Sequence, residues 1–491
     1  MTYLAGISGR PRARAKDVQL PGVGRRDFHR FGRFRMLGLT RSCRLRWPAY
    51  GYGLPRTACT TALFLALAWA GLPLPIAAYP LDGYAETGIR RLEAARLADM
   101  GVIHGRKQPE GALLPTEAVD LRLLDHRNLD LPPPDLELTR QIQGLLDGVA
   151  DRYGIALLDI TDPDRPGYAE HRGEYRQNVG SVGKLLVALA LFQALADTWP
   201  DDLDKRRRIL RDTVVTADAF SHWDHHRIRI FDVENRMLTR RPLRDGDQGS
   251  LWEYLDWMLS ASSNACAAMT MREAMLLRHY GKAYPPAQKG IDRFFERTPR
   301  SELTELFQKT FFDPVTRNGL DLNDLRQGSF FTNAGNQIVP ATGGSYGTAR
   351  ELMKYLLRME QGRLIDEFSS RAIKRLLYMT ERRIRYASSP VLRDSAVYFK
   401  SGSLYQCRNE AGFQCGKYRG NVKNYMNSVA IVETRSHGRD LKYMVTLISN
   451  VLRKNSALDH QTLATGIHRI VQQDHPTAPG AKTGQTFSPE H

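Results

Sequence analysis

The stretch "NVGSVGKLLVALALFQALA", residues 178–196, places Ser181 and Lys184 at the mouth of a long apolar run. A helix with no polar face is buried on all sides, so this run predicts a core helix. Ser181 and Lys184 stand three residues apart and share one helix face. Both fall in the first turn, where free backbone N–H groups and the positive end of the helix dipole favour an anion. An acyl-transfer nucleophile needs this arrangement: the serine attacks a carbonyl, a base takes its proton, and N–H donors hold the oxyanion. A lysine can be that base only when part-time neutral. Bringing its pKa from about 10.4 to near 7 takes about 4–5 kcal/mol, which burial and a neighbouring cation supply. On its own the pair is a weak signal, because one serine three residues before a lysine is expected by chance and a surface helix start reads the same way.

Working outward, "LELTRQIQGLLDGVADRY" (136–153) reads as a helix by its apolar spacing. "GIALLDI" (154–160) and "YAEHRGEYR" (168–176) read as a hairpin around the turn "TDPDRPG". A helix-rich section follows to about residue 363. Three further strands are expected at 395–404, 426–434 and 441–449, then a closing helix, "LDHQTLATGIHRIV" (458–471). This order predicts an α/β (α+β) fold. One antiparallel sheet of about five strands is covered by the terminal helices, a helical lobe stands beside it, and a ligand site is expected in the cleft.

Two more stretches carry chemistry. In "WMLSASSNACAAM" (257–269), Ser262, Ser263 and Asn264 lie between two helical patterns. A hydroxyl and an amide there can relay a proton and hold a substrate amide; a plain helix cap is the bland alternative. In "YFKSGSL" (398–404), Lys400, Ser401 and Gly402 lie on an expected strand. Gly402 permits close approach and Lys400 attracts a carboxylate, although a lysine on a strand edge also discourages aggregation.

Together, Ser181-x-x-Lys184, Ser262-Ser263-Asn264 and Lys400-Ser401-Gly402 resemble the three motifs of the serine β-lactamases and penicillin-binding proteins. The surroundings are most similar to class A β-lactamases. "GSLWEYLDWMLSASSNACA" (249–267) resembles the helix entering their second motif, and "GTARELMKYLLRMEQGRL" (347–364) the helix after their Ω-loop. The resemblance spans about residues 136–475 and implies a β-lactamase/transpeptidase-like fold. It makes Ser181 the acylated nucleophile, Lys184 the base or its electrostatic partner, and Ser262 the proton shuttle to the leaving nitrogen. Asn264 would contact the substrate amide, and Lys400 and Ser401 its carboxylate. The N–H groups of Ser181 and Ser403 would form the oxyanion hole. No cofactor, metal or nucleic acid is implied. The partner is a small molecule, a β-lactam or a peptidoglycan peptide, and the chain is expected to be a monomer.

The match departs from the family in three places. Class A enzymes carry Glu-x-x-Leu-Asn for the deacylating base. Here "NGLDLNDL" (318–325) has Gly319 at the glutamate position, with Asp321 and Asp324 as candidate substitutes. The second motif reads Ser-Ser-Asn where Ser-Asp-Asn is commoner. The segment 220–249, "FSHWDHHRIRIFDVENRMLTRRPLRDGDQG", is read as an added hairpin over the cleft, with His222, Asp224, His225 and His226 on a polar surface loop. No paired cysteines or helical histidine pair supports a metal there.

The net charge is +17 over 491 residues, but residues 1–57 alone hold thirteen Lys/Arg against Asp17 and Asp27. The basic excess therefore describes the N-terminus and not a nucleic-acid-binding face. "TALFLALAWAGL" (61–72) follows, ended by Pro73 and Pro75, with a small-residue site at Ala77-Ala78. These parts make a secretory signal or an uncleaved anchor over 61–78, and so a periplasmic or secreted protein. Met36 is a second candidate start, and "GRRDFHR" (24–30) looks like a twin-arginine signal set too far upstream. Cys43 and Cys59 would leave with the signal, Cys407 and Cys415 could be bridged in an exported protein, and Cys266 is expected in the core. The expected organisation is 1–78 basic region and signal, 79–134 extension and Pro-rich linker, 135–475 hydrolase domain, and 476–491 disordered tail. The functional expectation is an exported serine hydrolase that acylates Ser181 with a β-lactam or a D-Ala-D-Ala-like amide and hydrolyses the acyl-enzyme. A penicillin-binding D,D-peptidase or amidase and a non-catalytic sensor keeping the fold stay open beside it.

Overall fold

Five antiparallel strands form the main sheet: β1 (Tyr153–Asp159), β2 (Gly167–His171), β3 (Ala396–Gln406), β4 (Lys423–Ser436) and β5 (Arg439–Asn450). Their order is β2-β1-β5-β4-β3, which leaves β3 on an edge. The computed structural model describes residues 82–476, apart from 106, 107, 147, 382 and 437. The basic stretch, the signal with Met36, Cys43 and Cys59, and the tail from 477 lie outside the described residues.

Side chains alternate across the sheet as a period of two requires. Ile155, Leu157, Ala430, Val432, Val445 and Leu447 join one core; Ala156, Leu158, Val429, Ile431 and Met444 join the other. Among the described residues, the helices that frame these cores include α1 (Arg90–Asp99), α2 (Leu136–Gln143), α3 (Lys184–Thr198), α4 (Leu251–Leu259), α5 (Asn264–Tyr280), α6 (Ala349–Glu360), α7 (Glu367–Tyr378) and α8 (Ser456–Asp474). Other helices lie between them, among them Arg300–Phe311, whose Leu303, Phe307 and Phe311 join the same core as α3. Leu138 and Ile142 of α2 and Leu463, Ile467 and Val471 of α8 cover the first face, as expected of the terminal helices. Helix α2 is shorter than the spacing predicts: the chain leaves it at Gly144, and Gly148, with φ 67, turns it toward β1.

The opposite face packs on the helical lobe, with α3 at its centre. Every residue from Lys184 to Leu195 is buried, which is the environment an apolar run without a polar side demands. Around it, α4 starts from a full capping box between Ser250 and Glu253. The hairpin expected within 220–249 is present, pairing Ile228–Asp232 with Met237–Arg241.

The boundary expected at residue 134 does not separate two bodies. Ile89, Leu92, Ala112, Val119 and Leu123 belong to the same apolar cluster as α3. Arg91, 4% exposed, makes a bidentate pair with the fully buried Asp256 of α4 and donates to the Met379 carbonyl. Leu123 N–H donates to the Glu360 carbonyl at the end of α6. A Pro-rich turn was a sound sign of a break in secondary structure, but long-range apolar and ionic contacts across it decide that the extension shares the core.

Candidate active site

Segment 177–183 is tied down before α3 begins. Gln177 Nε2 donates to Asn427 Oδ1 of β4 at 2.7 Å and to the Ser449 carbonyl of β5 at 3.2 Å. The Asn178 side chain accepts from Gly180 N–H at 2.8 Å, and Gly180 adopts φ 55, a left-handed conformation that glycine takes at little cost. The next residue is Ser181. It sits in a 3₁₀ turn, Gly180–Gly183, and the α-helix starts at Lys184, so the serine precedes the first α-turn it was expected to occupy.

Lys184 is fully buried and its Nζ has four oxygens around it. Ser181 Oγ lies at 2.9 Å, the Ser262 carbonyl at 2.7 Å, Asn264 Oδ1 at 2.7 Å and Ser262 Oγ at 3.5 Å. The ring of Phe331 is 4.8 Å away. Burial brings this amine down to about 7, against a smaller upward pull from Asp224. That depression represents about 5 kcal/mol of preference for the neutral form.

Lys400 stands on the β3 face that points to the helical lobe, the same face as Tyr398. Its Nζ donates to the Leu259 carbonyl at 3.0 Å and to Ser262 Oγ at 2.8 Å. Burial, then the nearby Lys184 and Arg385, hold it well below the usual lysine range. Ser262 therefore has an amine on either side, and its backbone is left-handed, φ 60. Such a conformation in a serine costs on the order of 1 kcal/mol or more and is kept where surrounding contacts over-determine it.

Gly402 explains itself by what a side chain would hit. A Cβ there would lie 2.1 Å from the Val179 carbonyl oxygen and 2.7 Å from Ser181 N. Strand β3 thus runs directly along the Gly180–Gly183 turn and brings the Ser403 N–H beside it, 3.3 Å from where a Cβ on Gly180 would stand. The structure brings all eight expected side chains and backbone groups, Ser181, Lys184, Ser262, Asn264, Lys400, Ser401, Gly402 and Ser403, into one cleft. Cys407 and Cys415 form a disulfide with Cα atoms 6.1 Å apart, in the loop after β3, and Cys266 is free and buried.

Two further residues belong to this cleft and escaped the sequence reading. Arg385 Nη1 donates to Ser401 Oγ at 2.6 Å, and Nη2 to Ser403 Oγ and Tyr418 OH, each at 3.0 Å. It sets a guanidinium beside Ser401 and Ser403 of β3. Asp224 corrects the expectation of a polar surface loop: its side chain is 3% exposed and points inward at Asn264. The neighbouring His222 does remain at the surface, bonded to Asp245. Asp224, His225 and His226 offer ligand atoms within 4.8 Å of one another, but the Asp224 oxygens are already engaged by protein N–H and O–H donors, so the donor set does not fit a metal ion.

The segment that should hold a deacylating carboxylate is different in kind. Asp321 is exposed and its carboxylate accepts from Asn323 N–H. Among the described residues, neither Asp321 nor Asp324 bonds to Ser181, Lys184, Ser262 or Lys400. Within this segment Asn318 donates to Gln193 Oε1 of α3 at 3.0 Å, far along the helix from Ser181; two residues beyond it Gln327, 3% exposed, reaches the turn before α3, its Oε1 2.4 Å from where a Cβ on Gly183 would stand.

The chain belongs to the β-lactamase enzyme family, whose family model matches residues 137–414. Strands β4 and β5 and helix α8 follow the matched stretch. No curated protein matches the sequence. Among solved structures, the chain is similar to a mutant of PBP-A in an acyl-enzyme complex with penicillin G, at 13% identity over 70% of this chain and 98% of that one, TM-score 0.42. It is also similar to a β-lactamase from Sphaerobacter thermophilus at 14% identity over 70% and 97%, TM-score 0.42. A class A β-lactamase representative from Bacteroides cellulosilyticus matches at 14% over 69% and 99%, TM-score 0.43.

Proposed function

We propose that the protein is a serine hydrolase that opens cyclic or peptide amides, β-lactams or D-Ala-D-Ala-like peptides, through an acyl-enzyme on Ser181. The observation that carries this reading is the set of partners around Lys184. A neutral amine has two N–H donors and one lone pair. The Ser262 carbonyl and Asn264 Oδ1 can only accept, so they take the two N–H bonds. The lone pair is left for Ser181, the one close partner with a proton to give, 2.9 Å away.

In acylation the Ser181 proton passes to Lys184 as Oγ bonds to the carbonyl carbon. The oxyanion is held by the N–H groups of Ser181 and Ser403, a contribution of about 3–4 kcal/mol per donor. The C–N bond then breaks as Ser262 Oγ gives its proton to the leaving nitrogen and is resupplied from the amines beside it. Lys400, Ser401 and Arg385 receive the substrate carboxylate, and Asn264 contacts the acyl amide. Water releases the acyl group.

Gln327 and Phe331, where a carboxylate would speed that last step, favour a second emphasis within the same reading: fast acylation and slow release, the behaviour of a penicillin-binding enzyme. The Cys407–Cys415 disulfide supports export to an oxidising compartment, since such bonds are rare in the reducing cytosol.

Intact mass after incubation with benzylpenicillin tests both steps. We expect a one-to-one adduct on Ser181 that decays slowly, and none on Ser181→Ala. A protein that gains no mass from penicillins, cephalosporins or a fluorophosphonate overturns the hydrolase reading.

A further inference from the structure

The insertion at 220–249 supplies something the second motif lacks. Asp224 Oδ2 accepts three hydrogen bonds: from Ser263 Oγ at 2.9 Å, Asn264 N–H at 2.8 Å and Ala265 N–H at 3.0 Å. Its other oxygen faces His226, accepting from the backbone N–H at 3.2 Å and meeting the ring Nδ1. The carboxylate therefore sits on the free N–H groups at the start of α5, where the helix dipole favours a negative charge. Ser263 already caps this helix by accepting from Cys266 N–H, so Asp224 is a second, external cap. It arrives from forty positions upstream and fixes the residue, Asn264, whose amide oxygen touches Lys184.

We propose that Asp224 is the positioning residue of the Ser262-Ser263-Asn264 turn, delivered by the insertion in place of an acidic residue within the motif, and that it sets both the Asn264–Lys184 contact and the charge under the nucleophile's base. This rests on Ser181 being the nucleophile. The groups that face Lys184 are Ser181, Ser262 and Asn264, with Phe331 from the opposite wall; Lys400, Cys266 and His226 bear on it through space, and Arg385 on Lys400. Asp224 is the anion that stabilises the protonated amine. Removing its charge makes Lys184 easier to deprotonate, so the acid limb of acylation moves to lower pH.

The test compares Asp224→Asn, the double variant Asp224→Asn/Ser263→Asp and wild type. Acylation rates with benzylpenicillin are measured across pH, and the Lys184 amine is followed by NMR on ¹³C-lysine-labelled protein. For Asp224→Asn we expect the acid limb and the Lys184 titration to move down by about half a pH unit or more. Its plateau rate should fall by about tenfold to a hundredfold as Asn264 drifts. Returning the carboxylate at position 263 should bring the limb back. A lost helix cap without electrostatic coupling lowers the plateau and leaves the limb in place, which overturns the proposal, as does an unchanged profile. If Asp224→Asn does not fold, Asp224→Glu, which displaces the carboxylate, is read instead by the Lys184 NMR titration: a lowered plateau with a titration moved by a few tenths of a pH unit supports the proposal, and an unmoved titration, with or without a lowered plateau, overturns it. The NMR titration decides the point even if wild type is never acylated, so failure of the hydrolase reading stays distinguishable from failure of this one.

Discussion

Two lysines in this protein are equally buried and stand among opposite kinds of partner. Lys184 and Lys374 are each fully inaccessible, and each has its Nζ over an aromatic ring, Phe331 at 4.8 Å and Tyr398 at 4.6 Å. Around Lys374 stand two carboxylates, Glu360 and Glu433, both at 2.7 Å, together with the Asp120 carbonyl. Around Lys184 stand a hydroxyl, a carbonyl and an amide oxygen. Burial alone therefore does not make a base. What matters is whether the pocket provides compensating charge: with it the lysine is a rivet between α6, α7 and β4, and without it desolvation pushes the proton off.

Exchanging each lysine for methionine is the sharpest way to break this comparison. Lys184→Met should lower acylation by about 10³-fold or more, while denaturant unfolding shows a smaller loss of stability than at Lys374, because it strands two neutral acceptors, the Ser262 carbonyl and Asn264 Oδ1, and no bonded carboxylate. Lys374→Met should do the reverse. It strands Glu360 and Glu433 against each other and costs about 3–5 kcal/mol of stability, with acylation per folded molecule unchanged. If Lys184→Met destabilised the fold as much as Lys374→Met, the distinction would fail.

The pH profile comes next in size. A base brought down to about 7 is protonated below that pH, so the acylation rate should fall by about tenfold per pH unit on the acid side of 7 and level off above it. A rate flat from pH 5 to 9 would contradict a neutral Lys184. The smallest expected effect is at the rim. Arg385→Ala should weaken the acylation of anionic β-lactams by about tenfold to a hundredfold, with a much smaller change for a substrate whose carboxylate is esterified. Equal loss for both would remove Arg385 from carboxylate recognition.

Much of the site was legible because its parts are local patterns. Ser181-x-x-Lys184 announces itself by a lysine opening an apolar helix, and Lys400-Ser401-Gly402 by its place on a strand. The five strands came from short apolar runs set between turns, with ends off by one to three residues except at β2, which was expected to run on to 176 and stops at His171. What was not legible depends on contacts between distant positions. Arg385 reads as one of many arginines until β3 lies beside it. Asp224 reads as one acid in a polar loop until the hairpin folds its carboxylate onto α5. The continuity of residues 82–134 with the core rests on distant contacts, Ile89, Leu92 and Leu123 packing into the α3 cluster and Arg91 meeting Asp256, which no local rule announces. The left-handed Ser262 had no sequence signal at all, because serine is not a residue that favours φ 60.

The Arg91–Asp256 pair also limits how the molecule can be trimmed. Cutting the chain near 135, where the prolines invite it and close to where the family match begins, would remove the guanidinium and leave a carboxylate stranded inside α4. That helix ends at Leu259, whose carbonyl holds Lys400. A shortened protein would then carry a fault less than one helical turn from the carbonyl that holds Lys400, with every residue of the three motifs still in place.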